Sequence, residues 1–376
     1  MSSRPPLALV IVLLSFPQVV ETIYSPALPL IASRYRVAPE EVAQTLSLWF
    51  LGFALGVVVW GRLCDVWGRR PSLLAGLLLY AIGAGWALIA PDFSDLLAAR
   101  LLSAFGAAVG SIVTQTALRD SYSGPSLGRV FSLLGMALAI SPAVGMFTGE
   151  EIAAIAGHEG IFAALGLLAV ALLVISLIRW PETLAASIPV VSFRLTLWQM
   201  LFDKAIWRSA MLICCFNLAI FGYYQLGPFL FARLENVWID FGHSGIVLAV
   251  ASLAAAIANS QLLRQGWSSQ KLTRLGIVLL VLGAGFGGLF VRSPALLLGM
   301  AVIAAAYAIA IPNILSQALR AYTDRLGTAG AILSLFYYNL LGGGLVLAGL
   351  VQSLDLVLIA CAGLAVLTFF LSGRWR

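Results

Sequence analysis

Charge is scarce in this chain. Asp, Glu, Lys and Arg make up 10% of its 376 residues, against a hydrophobic fraction of 61%, whereas soluble domains carry about 25% charged residues. That shortage excludes an ordinary soluble globule. Histidine occurs only at His158 and His243, and neither H-E-x-x-H nor G-x-x-x-x-G-K is present, so the zinc-hydrolase and phosphate-loop chemistries have no residues to run on. The four cysteines, Cys64, Cys214, Cys215 and Cys361, lack ligand spacing or pairing logic and read as packing residues. No connection has room for a nucleotide-binding domain, which excludes an ATP-driven pump. The chain is therefore expected not to be an enzyme and to need no cofactor or metal; any work it does draws on a gradient.

What is present is apolar length. A membrane span needs roughly 20 mostly apolar residues, and twelve such runs cover about 7–33, 41–62, 72–91, 94–118, 128–150, 159–179, 206–232, 243–263, 272–291, 294–318, 328–350 and 353–372. The first is too long for a signal peptide and lacks a clear cleavage site, so it reads as span 1. A net charge of +6 would suggest nucleic acid in a soluble protein. Here 17 of the 22 Lys and Arg residues, all but Arg34, Arg36, Arg100, Arg233 and Arg292, fall on one side of the threading. That is the positive-inside bias. It predicts a multi-pass protein of the inner membrane with both termini cytoplasmic, surrounded by lipid, monomeric, and without a nucleic-acid partner.

The longest polar connection divides the spans six and six, and the halves echo each other. "YSPALPLIASRYRV" (24–37) aligns with "YQLGPFLFARLENV" (224–237) at an offset of 200, and "TALRDSYSG" (116–124) with "QALRAYTDRLG" (317–327) at 201. The expected fold is an all-α membrane protein of twelve helices in two pseudo-symmetric six-helix bundles. Residues 1–180 form the first bundle, 181–204 a cytoplasmic linker and 205–376 the second bundle. Two such halves around a central cavity suit a rocking, alternating-access carrier. "GFALG" (52–56), "GAAVG" (106–110) and "GAGFG" (283–287) mark close helix packing, where lipid supplies no hydrophobic drive.

Between spans 2 and 3 runs "GRLCDVWGRRPSLLAG" (61–76), with glycines that permit a tight turn and fixed charge at the membrane face. Gly61, Leu63, Asp65, Gly68, Arg69 and Arg70 resemble the signature loop G-x-L-x-D-R-x-G-R-R/K of the major facilitator superfamily, with Val66 where a basic residue is usual. The resemblance implies that Gly61, Asp65, Gly68, Arg69 and Arg70 form a cytoplasmic gate, Asp65 approaching the start of span 11 at residues 326–330. "YSPALPLIA" in span 1, "ARLLSAFGAAVG" in span 4 with Arg100 and Gly106, "ALRDSYSG" with Asp120, and "GMALAISPAVG" (135–145) with Pro142 and Gly145 resemble the Bcr/CflA group of drug:proton antiporters. Pro142 and Gly145 stand on its antiporter-motif helix; Ser141 and Met146 replace two of its glycines. Four residues before the proline, that group's span 1 aspartate falls on Thr22, one position after Glu21.

Charges at bilayer depth cost about 2.5–3.5 kcal/mol on insertion scales and should face a wet or protein-lined interior. Glu21 is the only acidic residue deep in a span, and Gln18, Tyr24 and Ser25 share its helix face. Pro26 and Pro29 should kink the helix beyond it. Arg100 lies about 9 Å into span 4 at 1.5 Å per residue, with Ser103, Ala107, Ser111 and Thr114 continuing its face. Glu21 and Arg100 are expected as neighbours across the cavity wall, either as a structural ion pair or with Glu21 as a proton site that Arg100 biases or beside which it binds substrate; a Glu21 that only hydrogen-bonds substrate is the third reading. Their counterparts in the repeat are Phe221 and Ala301. Candidate substrate contacts are Gln18, Glu21, Tyr24, Arg100, Ser103, Asn217, Tyr224, Asn259, Tyr307, Tyr338 and Asn339, a polar and aromatic set suited to amphipathic ligands; Tyr223, Gln225, Gln261, Asn313 and Tyr337 stand beside them. Glu150, Glu151, His158 and Glu159 read as a solvated rim, with a proton antenna or a cation-attracting mouth as the alternatives.

Together these features predict proton-coupled export of a small amphipathic organic compound, a drug or metabolite, by alternating access. A carrier of a metal-chelating, siderophore-like or other anionic metabolite using Arg100 is the alternative. A transporter-like receptor or scaffold is a third reading.

Overall fold

The computed structural model describes residues 4–122, 124–184, 192–234 and 239–371. Among them every regular element is helical: α1 (Leu7–Thr22), α2 (Leu28–Tyr35), α3 (Pro39–Val66), α4 (Arg69–Leu88), α5 (Phe93–Ser121), α6 (Gly124–Arg179), α7 (Phe193–Leu201), α8 (Lys204–Phe231), α9 (Phe241–Arg264), α10 (Ser269–Leu289), α11 (Leu296–Ala318), α12 (Leu326–Val351) and α13 (Leu354–Leu371). Ten helical stretches are long and apolar enough to cross a membrane, and Leu354–Phe370 is a shorter apolar helix. One stretch, Ala137–Arg179, holds the end of the expected run 128–150 and all of 159–179. Gly157, with φ 63° and ψ −162°, makes the corner between them, in a region of backbone space that side-chain-bearing residues rarely enter. Among the described residues this makes twelve apolar helical segments, the shorter Leu354–Phe370 included.

The helix ends follow local chemistry. Asp92, Asp203 and Ser268 accept from the backbone N–H groups of Asp95, Ala205 and Lys271, satisfying donors that a helix start leaves open. The break expected at Pro26 is real: α1 ends at Thr22, a 3-10 turn occupies Ser25–Ala27, and α2 resumes the span. Gly68, at φ +106°, starts α4.

The helices before and after the linker pack mainly among themselves. Glycine sets the spacing, as its pattern predicts. A Cβ on Gly56 would lie 2.6 Å from the Phe105 carbonyl, one on Gly106 2.6 Å from the Gly76 carbonyl, and one on Gly283 2.9 Å from the Gly299 carbonyl. Contacts across the halves join α3 to α12, α6 to α9, and the α1–α2 turn to α8. Arg4, the α3–α4 turn, the end of α5 and Glu182 at the start of the linker gather at one end of the molecule, called here the linker end; the opposite end is the far end.

Candidate functional site

A cavity between the halves is lined by Pro17, Gln18 and Glu21 of α1, Trp49, Phe50 and Phe53 of α3, Ile213, Asn217 and Phe221 of α8, Tyr307, Ile311 and Leu315 of α11, and Tyr337 and Tyr338 of α12. Seven of these fourteen side chains are aromatic, and Glu21 is the one carboxylic acid among them. The rings interlock across the seam: Phe50 lies 4.7 Å from Phe221 edge-on and 6.0 Å from Tyr338 in a stack, and Phe53 meets Tyr338 at 5.0 Å. Sequence reasoning missed Trp49, Phe50 and Phe53, although their i, i+1, i+4 spacing puts them on one helix face.

Glu21 is buried, and its Oε1 has no hydrogen-bond partner. Gln18, one turn earlier, accepts from the Ser141 hydroxyl at 2.7 Å through Oε1, so the serine that replaces a motif glycine orients a cavity residue. Thr22 turns the other way. Its hydroxyl donates to the Gln18 carbonyl at 2.7 Å and packs on α6, where a Cβ on Gly145 would sit 2.0 Å from Thr22 Oγ1. The one-position difference from the resembled motif is thus a difference of helix face: position 21 looks into the cavity and position 22 into a helix contact. Phe221, the repeat counterpart of Glu21, lines the same cavity.

Arg100 does not line it. The guanidinium lies 4.0 Å from the Tyr24 ring centroid and 4.4 Å from that of Trp49, behind the cavity wall that Trp49 forms. It is 1% exposed, and Nε and Nη2 have no hydrogen-bond partner. Among the described residues no carboxylate oxygen comes within 4.0 Å of it, so the expected ion pair with Glu21 is not formed. Two aromatic faces hold the cation instead.

Five other expected contacts are also elsewhere. Tyr24 is fully buried against Arg100 and Phe162. The Ser103 hydroxyl donates to the Ala99 carbonyl in the α4–α5 contact, because its own helix is the nearest acceptor. Tyr224 is buried among Phe221 and Tyr223, and its carbonyl accepts from Ser25. Asn259 accepts from Asn313 at 2.7 Å, which pairs two amides between α9 and α11. Asn339 is exposed beside α7, donating to Leu335. Gln18, Glu21, Asn217, Tyr307 and Tyr338 are the predicted contacts that the fold brings together.

At the far end the halves are sealed. Gln225 Nε2 of α8 lies 2.7 Å from the Ala43 carbonyl, 3.1 Å from that of Leu345 and 3.3 Å from Ser47 Oγ, joining three helices through one amide. Gln44 reaches the Val346 carbonyl at 3.4 Å. Glu150 is no solvated rim residue: its Oε2 accepts from the Gly242 N–H at 3.0 Å, an open donor at the start of α9. His243 Nε2 stands 3.7 Å from Glu151. Glu159 is exposed, and His158 meets the Tyr35 ring edge-on.

At the linker end the predicted gate residues form a network within the first half. Arg69, 1% exposed, donates to Asp65 Oδ1 at 2.7 Å, to the Cys64 carbonyl at 2.7 Å and to Asp120 Oδ2 at 2.9 Å. The carboxylate of Glu182, which sequence reasoning missed, accepts from the backbone N–H groups of Arg69, Arg70, Thr183 and Leu184. Its signal was a lone acid just past the end of a span. Burial alone would raise its pKa; the four N–H donors outweigh that and hold it below the usual range. A Cβ on Gly68 would meet Glu182 at 2.4 Å, while Gly61 has only one neighbour within 4 Å, at 3.8 Å. Arg70 Nη2 donates to the Leu177 carbonyl. Asp65 stays half exposed. Its expected approach to residues 326–330 is not among the contacts seen; α3 and α12 meet instead near residues 43–51 and 342–349, and the Leu326 side chain lies outside the described residues.

A helical cage, a central aromatic cavity and a signature turn raise the question of kinship. A family model described as Major Facilitator Superfamily matches residues 10–347. The chain belongs to the major facilitator superfamily. This is a family of transporters rather than enzymes, and the chain is a multi-pass membrane protein. It is 31% identical over 359 residues to an uncharacterized transporter of Rickettsia bellii, covering 90% of this chain and 88% of that one. It is 25% identical over 386 residues to a bicyclomycin resistance protein homolog of Haemophilus influenzae, covering 93% and 92%. In fold it is similar to the crystal structure of the POT family transporter PepTSo, with a TM-score of 0.81 at 10% identity over 98% of this chain and 97% of that one.

Proposed function

We propose that this major facilitator is a proton-coupled exporter of small amphipathic organic compounds, working by alternating access between two six-helix bundles in the inner membrane. The positive-inside bias assigns the linker end to the cytoplasm, so the conformation described, sealed at the far end, faces inward. The observation that carries this reading is Glu21: the one carboxylic acid in the lining of an aromatic cavity shared by both halves, with a buried oxygen that no protein donor satisfies. A carboxylate so placed takes its partner from a proton or from substrate.

In this reading the inward-facing protein binds substrate while Glu21 gives up its proton, and after rocking a proton from outside neutralises Glu21 and favours release. Coupling is reciprocal, so proton and substrate each weaken the other's binding. Kinship with a bicyclomycin resistance protein homolog supports drug-like cargo, and the aromatic lining supports stacking on it. The reading that uses Arg100 as an anion contact loses its geometry, because Trp49 stands between that cation and the cavity.

The test is binding of ethidium and of chloramphenicol to purified protein across pH 5.5 to 8.5. Affinity should rise with pH in the wild type and become flat in Glu21→Gln. A pH-dependent affinity that survives the substitution would contradict the assignment.

A further inference from the structure

At the linker end of the second half, two arginines converge on one ring. The guanidinium carbons of Arg208, in α8, and Arg274, in α10, lie 5.5 Å and 5.4 Å from the centroid of Phe369, near the end of α13. Neither arginine has a carboxylate within 4.0 Å among the described residues. Arg208 is half-buried, and its Nε is buried without a hydrogen-bond partner.

A buried guanidinium nitrogen with no acceptor is costly. Arg208 and Arg274 are the fifth and sixth residues of their helices, past the first turn over which a helix dipole acts, so the cost is that of the missing acceptor. The depth is informative as well. α8 has 28 residues, about 42 Å at 1.5 Å per residue, which matches the roughly 40–45 Å of a bilayer with its headgroups. Arg208, four residues after the first of α8, therefore lies about 6 Å below that surface, at the inner edge of the headgroup layer.

We infer that Arg208 and Arg274 form a binding site for the phosphate of an anionic phospholipid, with Phe369 as the floor that holds both guanidiniums and meets the first acyl methylenes. The planar forks of arginine suit phosphate oxygens, and basic pockets between membrane helices on the cytoplasmic side are where such headgroups lodge. The acyl chains would run along the exposed apolar flank that Phe370 and Leu367 begin.

Native mass spectrometry of the full chain, delipidated in detergent and titrated with phosphatidylglycerol or phosphatidylcholine of identical chains, tests this. The wild type should retain phosphatidylglycerol in preference to phosphatidylcholine. Arg208→Gln with Arg274→Gln should lower phosphatidylglycerol occupancy at least about fivefold and leave phosphatidylcholine unchanged. Arg274→Gln alone, at an exposed position, should give a partial loss and keeps the test usable should the double variant misfold. Millimolar inorganic phosphate should not displace the lipid. Unchanged phosphatidylglycerol occupancy in the variants, or displacement by inorganic phosphate, would overturn the site.

Discussion

Gln225 of α8 places its amide nitrogen 2.7 Å from the Ala43 carbonyl of α3, with the Leu345 carbonyl of α12 at 3.1 Å. One side chain thus satisfies two backbone acceptors on opposite halves. Gln225→Leu removes the bond that crosses to α3, worth about 0.5–1.5 kcal/mol net, while each carbonyl keeps its intrahelical partner. Every 1.4 kcal/mol is tenfold in a population, so the far end should open about two- to tenfold more often. Labelling of a cysteine placed at Gln44 by a membrane-impermeant reagent from the far side reads this directly; an unchanged rate contradicts the role.

Glycine at 145 keeps α1 and α6 close. The added methyl of Gly145→Ala would meet Thr22 Oγ1 at 2.0 Å and the Val19 carbonyl at 2.8 Å, and backbone cannot give way as a flexible side chain can. Overpacking of this kind costs about 1–3 kcal/mol. Thermal unfolding in detergent should show a lowered midpoint, and Thr22→Ala in the same chain should recover part of it.

At the linker end, Glu182 gives a pH signature. Its folded-state pKa is held down by four backbone N–H donors against the opposing effect of burial. A depressed carboxylate contributes stability above its unfolded pKa, about 4.3, and that contribution is lost as pH falls through the folded value. The difference in thermal midpoint between wild type and Glu182→Gln should therefore be full near pH 7 and shrink steadily below about pH 4.3. A difference that is constant down to pH 3.5 contradicts the carboxylate's part in the network.

Arg100 is held by ring faces, so charge alone should not replace it. Arg100→Lys retains the cation but loses the flat surface that stacks on Tyr24 and Trp49. A desolvated cation–π contact is worth about 2 kcal/mol, and thermal stability should fall by an amount of that order. Ethidium affinity at fixed pH should change little, since Arg100 lies outside the cavity lining.

The sequence made the fold legible because the membrane imposes it. Twelve apolar runs, one-sided basic loops and small residues one turn apart each have a single physical meaning in a bilayer, and even the Pro26 break appears where it should. The site was legible only in part. Glu21 stood out because a carboxylate at that depth has few explanations, and Thr22 versus Glu21 resolved once α6 was seen to occupy one face of α1. Arg100 misled, since a lone cation suggests a carboxylate partner while the Tyr24 and Trp49 faces leave no sequence mark. Asn259 and Asn313 pair across helices that are 54 residues apart in sequence, and no local pattern announces that. Phe50, Phe53 and Phe221 carry no local mark of a cavity, because the surface they form exists only where the two halves meet.

The proton site itself is tested most directly in proteoliposomes of defined orientation, loaded with ethidium and subjected to an imposed pH gradient. Wild-type transport should follow the gradient and stop when an ionophore collapses it. Glu21→Gln should lose gradient-driven transport while still exchanging ethidium at equal pH on both sides. Gradient-driven transport in Glu21→Gln at the wild-type rate would contradict the account.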